Sequence, residues 1–170
     1  MDISEFKNKV LPSRDKLWRF ARRLLGNEEE AEDTIQDVFL KLWDIRHQIT
    51  HYNSIEALAM KMTKNQCLDK LKSKRNMQVN LDNHSSHLLS GFAPPDKKTE
   101  LNDSMDIMSL AIQTLPENQK MIIQLRDIEE YEFEEIAEIL GFDLNYIRVN
   151  LSRARKKIRE ILTKVYNYGT

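Results

Sequence analysis

Apolar residues recur along this chain at helical rather than strand spacing. In GNEEEAEDTIQDVFLKLW, Ile35, Val38, Phe39 and Leu42 fall at i, i+3, i+4 and i+7 and make one face. Asn27 stands before them as an N-cap, Glu30 takes the capping-box position, and the acids of the first turn suit the helix dipole. The same reading predicts helices over about 5 to 25, 28 to 46 and 54 to 75, the last with Leu58, Met62, Leu68 and Leu71 on its core side. Later in the chain one helix ends near Leu115, Pro116 opens another that runs to about residue 128, and two shorter helices follow. No strand period appears, so the expected fold class is all-α.

Between about 77 and 104 the periodicity disappears into a stretch rich in Asn, Ser and Asp that contains the Pro94-Pro95 pair. So long an aperiodic stretch usually marks a linker or a functional loop. Two small helical domains are therefore predicted, 1–76 and 107–170, joined by a flexible linker over 77–106. Leu88, Leu89 and Phe92 give that linker three apolar residues able to rest on a partner or on the protein itself.

The last two helices have helix-turn-helix spacing. Ile136, Ala137 and Leu140 point inward from the first, Gly141 turns the chain, and Ile147 and Leu151 point inward from the second. Asp143 suits the N-cap of that second helix. Its outer side is then left with Asn145, Tyr146, Arg148, Val149 and Ser152, placed to reach base edges in a major groove. Arg153, Arg155 and Lys156 follow, with Lys157 and Arg159, as phosphate contacts that give salt-sensitive affinity without reading sequence.

Charge sharpens this picture. The net charge is −1, yet residues 28 to 37 hold six acids and no base, while residues 61 to 75 hold six bases against Asp69 alone. The alternation repeats, with seven acids over 127 to 138 and six bases over 148 to 159. Patch charge, not net charge, governs contact with phosphates. In the first basic helix Lys61, Lys64, Lys72 and Arg75 recur on successive turns and can line a phosphate-facing surface. In the preceding acidic helix Asp33, Gln36, Asp37 and Leu40 form a second face at i, i+3, i+4 and i+7, and a leucine among exposed carboxylates suits a basic protein partner.

Other chemistry is sparse. The single cysteine, Cys67, reads as a core residue, and the histidines at 47, 51, 84 and 87 lack metal-ligand spacing, so no metal and no cofactor are expected. No apolar run approaches the roughly 20 residues of a membrane span, and MDISEFKNKV has no signal-peptide core, which predicts a cytoplasmic protein without membrane insertion.

These segments resemble the extracytoplasmic-function (ECF) sigma factors, the small two-domain initiation subunits of bacterial RNA polymerase. AEDTIQDVFLKLWD resembles their region 2.2, MKMTKNQCLDKLKSKR regions 2.3 to 2.4, and the stretch from LPENQK to SRARKKIRE region 4. The resemblance implies a region 2 helical bundle and a region 4 helix-turn-helix. It implies that Asp33, Gln36, Asp37 and Leu40 bind the clamp helices of core RNA polymerase. It further implies that the first domain captures the melted minus-10 element of promoter DNA, with RHQITHYNSIE and Asn65 near a flipped-base pocket, and Lys61 and Lys64 near the strand backbone. Region 4 would read the minus-35 element as duplex, and the linker would thread through the polymerase. An inhibitory anti-sigma factor is common in that family, although no residue here specifies one. The chain departs from the family pattern at Leu58, Met60 and Thr63, where a tryptophan, an aromatic and an alanine are frequent. Asn145 and Tyr146 also replace a frequent Gly-Thr, so the minus-35 sequence does not carry over.

Two rival readings are a stand-alone helix-turn-helix regulator and a nucleic-acid enzyme. The first usually needs a dimer over two half-sites, for which no extended heptad seam is visible. The second lacks a phosphate-binding glycine loop, a metal cluster and a nucleophile–base pair, so no catalysis is expected.

Overall fold

The computed structural model describes residues 1–82 and 103–168. Among them are eight α-helices and no strand: α1 (Ile3–Val10), α2 (Arg14–Leu25), α3 (Glu28–Asp44), α4 (Ile55–Asp82), α5 (Asp103–Gln113), α6 (Glu117–Ile123), α7 (Phe133–Leu140) and α8 (Leu144–Tyr168). The linker residues Leu88, Leu89 and Phe92, with His84 and His87, lie outside the described residues.

The helix expected over 5 to 25 is two helices. Pro12 lies in a 3-10 turn, Leu11–Ser13, and α2 starts beyond it. A proline has no N–H for the i−4 carbonyl, so an unbroken helix is disfavoured there. The hydroxyl of buried Ser13 donates to the Val10 carbonyl at 2.6 Å, closing the turn. α2 ends at Gly26 with φ +69°, a left-handed cap whose N–H donates to the Arg22 carbonyl. Asn27 then caps α3 by accepting from the Glu30 N–H at 3.0 Å. The expected capping box is only half formed, because the Glu30 side chain reaches Lys74 on α4 instead.

Helices α2, α3 and α4 pack on one another, with α1 against α4. Their shared core contains Leu17, Phe20, Ile35, Val38, Leu42 and Met60, all essentially inaccessible. Each such side chain gains about 1.5–3 kcal/mol from burial. On α4 the innermost positions are Ala59, Met60, Thr63 and Cys67, whereas Leu58, Met62, Leu68 and Leu71 are only half-buried. The expected core side of this helix is thus rotated. Two small alanines at 57 and 59 let α4 approach closely, and the Thr63 hydroxyl is satisfied by the Ala59 carbonyl at 2.8 Å. α4 also runs past the expected end near 75, to Asp82.

In the second unit α8 packs against α5, α6 and α7. Ile122, Ile123, Leu125, Ile136, Ile139, Ile147 and Ala154 close its core. After Ile123 the helix widens into a π turn, 124–128, where the Glu129 N–H reaches back to the Gln124 carbonyl at 3.0 Å. Glu130 follows with φ +62°. That exit throws Glu129 and Tyr131 onto the side facing the first unit. α2 packs on α6 and the π turn, and α4 packs along α7, so the two units lie against each other.

Candidate polymerase and nucleic-acid surfaces

Asp33, Gln36, Asp37 and Leu40 all project to solvent from α3, with Leu40 64% exposed. Their core-side neighbours Thr34, Ile35 and Val38 are buried, which fixes the face outward. Asp37 does not hang free: Gln66 on α4 donates to its Oδ2 at 2.8 Å, and Lys41 approaches the same glutamine at 3.5 Å. Lys70 donates to Thr34 Oγ1 at 2.7 Å, and Lys74 pairs with Glu30. The three contacts make an antiparallel ladder at the edge of the acidic face, and Gln66 holds the Asp37 carboxylate in place. The sequence offered one sign of this, since Gln66, Lys70 and Lys74 recur every four residues.

Apart from Lys70 and Lys74 in the ladder, the candidate DNA-binding residues of α4 divide into two stripes. Lys61, Asn65 and Lys72 are exposed and lie on the side opposite buried Thr63. Lys64 and Arg75 lie on the neighbouring stripe. Arg75 meets Glu117 at the start of α6, 3.4 Å away. Lys64 is half-buried, and desolvation with the neighbouring Lys61 charge pushes its pKa down. The five residues are therefore not one surface. Near the start of α4, Arg46 stacks 3.9 Å from the Trp43 ring centroid, and Phe6 meets the same indole edge-on at 5.1 Å. Beyond them His51 and exposed Tyr52 pack ring to ring at 5.2 Å in the loop.

The helix-turn-helix is built as its spacing demands. α7 ends at Gly141, φ +72°, whose N–H donates to the Ala137 carbonyl, and the turn delivers Asp143 to cap α8 by accepting from the Tyr146 N–H at 2.7 Å. Ile147 and Leu151 are buried, as are Ile136 and Leu140, while Ala137 is only partly covered. Asn145, Tyr146, Arg148, Val149, Ser152, Arg153, Arg155 and Lys156 are all exposed. Tyr146 is the most constrained of them: its hydroxyl accepts from Asn118 at 2.8 Å and its ring rests on Phe142, with centroids 4.7 Å apart. Arg148 lies 5.4 Å from the Phe133 ring centroid, whose other neighbour is Arg126 at 4.4 Å. Arg155 is locked in a two-bond fork on Asp127, at 2.6 and 3.0 Å, which raises its pKa further. A cleft of about 340 Å³ between Phe133, Arg148, Leu151, Ser152, Arg155 and Arg159 borders the exposed side of α8. Asn118, Asp127 and Phe133 carried no local sequence signal, because each acts on a residue distant along the chain.

Among the described residues no group of His, Cys, Asp and Glu is arranged to hold a metal ion, and no helix is long and apolar enough to cross a membrane. Cys67 is buried, and burial pushes its thiol up to about 12.

Two family models match the chain, sigma-70 region 2 over residues 11–77 and sigma-70 region 4 over residues 105–158. RNA polymerase sigma factor SigV of Bacillus subtilis is 28% identical over 155 residues, covering 91% of this chain and 89% of its own length. ECF RNA polymerase sigma factor SigW of the same organism is 25% identical over 170 residues, covering 95% and 90%. In fold the chain is similar to the sigma factor RpoE of Bartonella quintana, solved in complex with the anti-sigma factor NepR, with a TM-score of 0.74, 23% identity, and 95% and 98% of the two chains covered. It is also similar to CnrH in complex with the cytosolic domain of CnrY, with a TM-score of 0.69, 18% identity, and 96% and 90% covered. With both sigma regions matched in order and an all-helical fold shared along nearly its whole length, the chain belongs to the ECF family of RNA polymerase sigma factors.

Proposed function

We propose that the chain directs core RNA polymerase to promoters by dividing recognition among three outward surfaces. Asp33, Gln36, Asp37 and Leu40 on α3 bind the polymerase clamp, with Gln66 holding the Asp37 carboxylate in place. Lys61, Asn65 and Lys72 on α4 take the single strand of the minus-10 element, and Lys64 and Arg75 join them from the neighbouring stripe. On α8, Asn145, Tyr146, Arg148, Val149 and Ser152 read the minus-35 duplex, while Arg153, Arg155 and Lys156 serve its phosphates. The observation that carries this reading is the segregation itself: an acidic face bearing an exposed leucine and two basic helices, all on the outside of the helical bundles.

The chain acts by binding, in the cytoplasm where polymerase and DNA meet. Extruding a base from the stack costs a few kcal/mol as an order of magnitude, so contacts to polymerase and DNA must offset it. An inhibitory anti-sigma partner belongs to the same reading, since the similar Bartonella quintana protein is held by one. The test mixes the protein with bacterial core RNA polymerase and fragmented genomic DNA and sequences the 5′ ends of the transcripts. New starts behind a shared pair of elements at fixed spacing are expected. Starts that do not depend on the added protein would refute the proposal and return the chain to the stand-alone helix-turn-helix reading.

A further inference from the structure

Tyr146 is held by the start of α6. Asn118, in the first turn of that helix, donates from Nδ2 to the tyrosine hydroxyl at 2.8 Å. The ring rests on Phe142, with centroids 4.7 Å apart and planes tilted by 58°. The backbone is tied as well. Its N–H donates to Asp143 at 2.7 Å, and its carbonyl accepts at 2.9 Å from buried Asn150, whose own Oδ1 lies 3.5 Å from Gln119 Nε2. Ring, backbone and oxygen are all engaged, so the side chain has little freedom to change pose, yet it stays 37% exposed.

The direction of the Asn118 bond fixes what the exposed oxygen can offer. A phenol hydroxyl both donates and accepts, whereas an amide –NH2 group only donates. Asn118 therefore occupies a lone pair of the hydroxyl and cannot receive its proton. A phenol proton stays near the plane of its ring, so with one in-plane side taken by Asn118 it is left on the other. Among the described residues Asn118 is the hydroxyl's only hydrogen-bond partner, and the proton is available to an incoming group. Tyr146 lies in the first turn of α8, the part of a recognition helix that meets base edges. In the major groove guanine N7 and O6, adenine N7 and thymine O4 accept, while cytosine presents only its N4 donor. We propose that Asn118 sets Tyr146 as a proton donor, so that α8 demands an acceptor-bearing base at one position of the minus-35 element and rejects cytosine there. Asn118 is a positioning residue, acting on the base only through the tyrosine. The inference rests on α8 being the helix that reads the minus-35 duplex.

The experiment assembles holoenzyme from the full chain and bacterial core RNA polymerase, binds it to a pool of random-sequence duplexes and counts the bases in the retained fraction. With the wild-type chain, cytosine should be depleted on the order of fivefold at the position facing Tyr146, the scale of a single hydrogen bond. Tyr146→Phe deletes the hydroxyl and keeps the ring; it should restore cytosine at that one position and leave the others unchanged. Asn118→Asp replaces the donor with a carboxylate, which accepts from the phenol and turns lone pairs outward. Cytosine and adenine, with their N4 and N6 donors, should then displace guanine and thymine at the same position. Both residues are exposed, and an aspartate suits the first turn of α6, so neither variant should disturb folding. Added to Tyr146→Phe, Asn118→Asp should leave base preference as it is. A purely structural role would instead lower binding to all sequences alike. Wild-type preference retained in Asn118→Asp, or a loss in Tyr146→Phe that is uniform across sequences, overturns the donor assignment; so does an element altered by Arg148→Ala in which Tyr146→Phe changes no single position. No enriched element with the wild-type chain, or one indifferent to both Arg148→Ala and Tyr146→Phe, overturns the assignment of α8 itself.

Discussion

Gly141 sets the angle at which α8 leaves α7, and replacing it isolates one physical term. Its φ of +72° is a conformation that side chains rarely adopt, but a Cβ built there meets nothing within 4 Å. Gly141→Ala therefore introduces no clash, only the left-handed strain of about 1–2 kcal/mol. Part of this is offset by about 0.4–1 kcal/mol because alanine has fewer unfolded conformations to lose. The net cost should be at most about 1.6 kcal/mol, a fall in Tm of up to about 6 °C for a chain of this size. Gly26, with φ +69° and equally open surroundings, should respond to Gly26→Ala by a similar amount. Gly141→Asn should cost less than Gly141→Ala, since asparagine tolerates this region better. Calorimetry gives the three Tm values, and duplex promoter binding at 20 °C should be unchanged in all of them because the Ala137–Gly141 cap bond survives. A loss beyond about 3 kcal/mol, or equal costs for Ala and Asn, would show that space rather than backbone conformation is limiting.

Asp37→Arg should lower affinity for core polymerase by at least about tenfold, or 1.4 kcal/mol, while duplex DNA binding by the full chain is unaffected; parallel loss of both would mean the face is structural. Arg148→Ala should weaken specific promoter binding by about 1–3 kcal/mol if its contact is a bidentate one to a base, and a uniform loss across sequences in a competition assay would make it a phosphate contact. For Cys67 the folded thiol is pushed up to about 12 against an ordinary 9.0, so the unfolded chain ionises first as pH rises. This stabilisation is complete below pH 9 and is lost between about 9 and 12, with a slope of at most about 1.4 kcal/mol per pH unit. Urea midpoints at pH 8, 9 and 10 should fall more steeply for the wild-type chain than for Cys67→Ala, and native Cys67 should resist alkylation throughout.

Local patterns carried most of the fold. Pairs three and four residues apart identified α3, the turn at Gly141, the caps Asn27 and Asp143 and the inward residues of α8, because each depends on neighbours within one helical turn. The break at Pro12 was equally local but was passed over under a continuous apolar pattern. The innermost side of α4 was misplaced because the sequence favours its large residues, whereas close packing against α2 and α3 selects Ala59, Thr63 and Cys67. Site residues were visible as types and spacings, but their partners were not. Gln66 with Asp37, Asn118 with Tyr146, Asp127 with Arg155 and Arg19 with Glu129 are separated by 29, 28, 28 and 110 residues, and only tertiary packing joins them.

The ladder between α3 and α4 is nearly indifferent to sliding. A shift of one turn in one direction would set Thr34 against Lys74 and Asp37 against Lys70, each a sound pairing, with Glu30 left facing Gln78. The polar contacts thus supply adhesion without specifying alignment. Alignment must come from the interlocked shapes of Ile35, Val38 and Leu42 against Ala59, Met60 and Thr63. Weakening the ladder should therefore loosen the pair of helices in place, whereas reshaping the core beneath it can shift α3 by a whole turn and carry its exposed carboxylates about 5 Å along the helix axis.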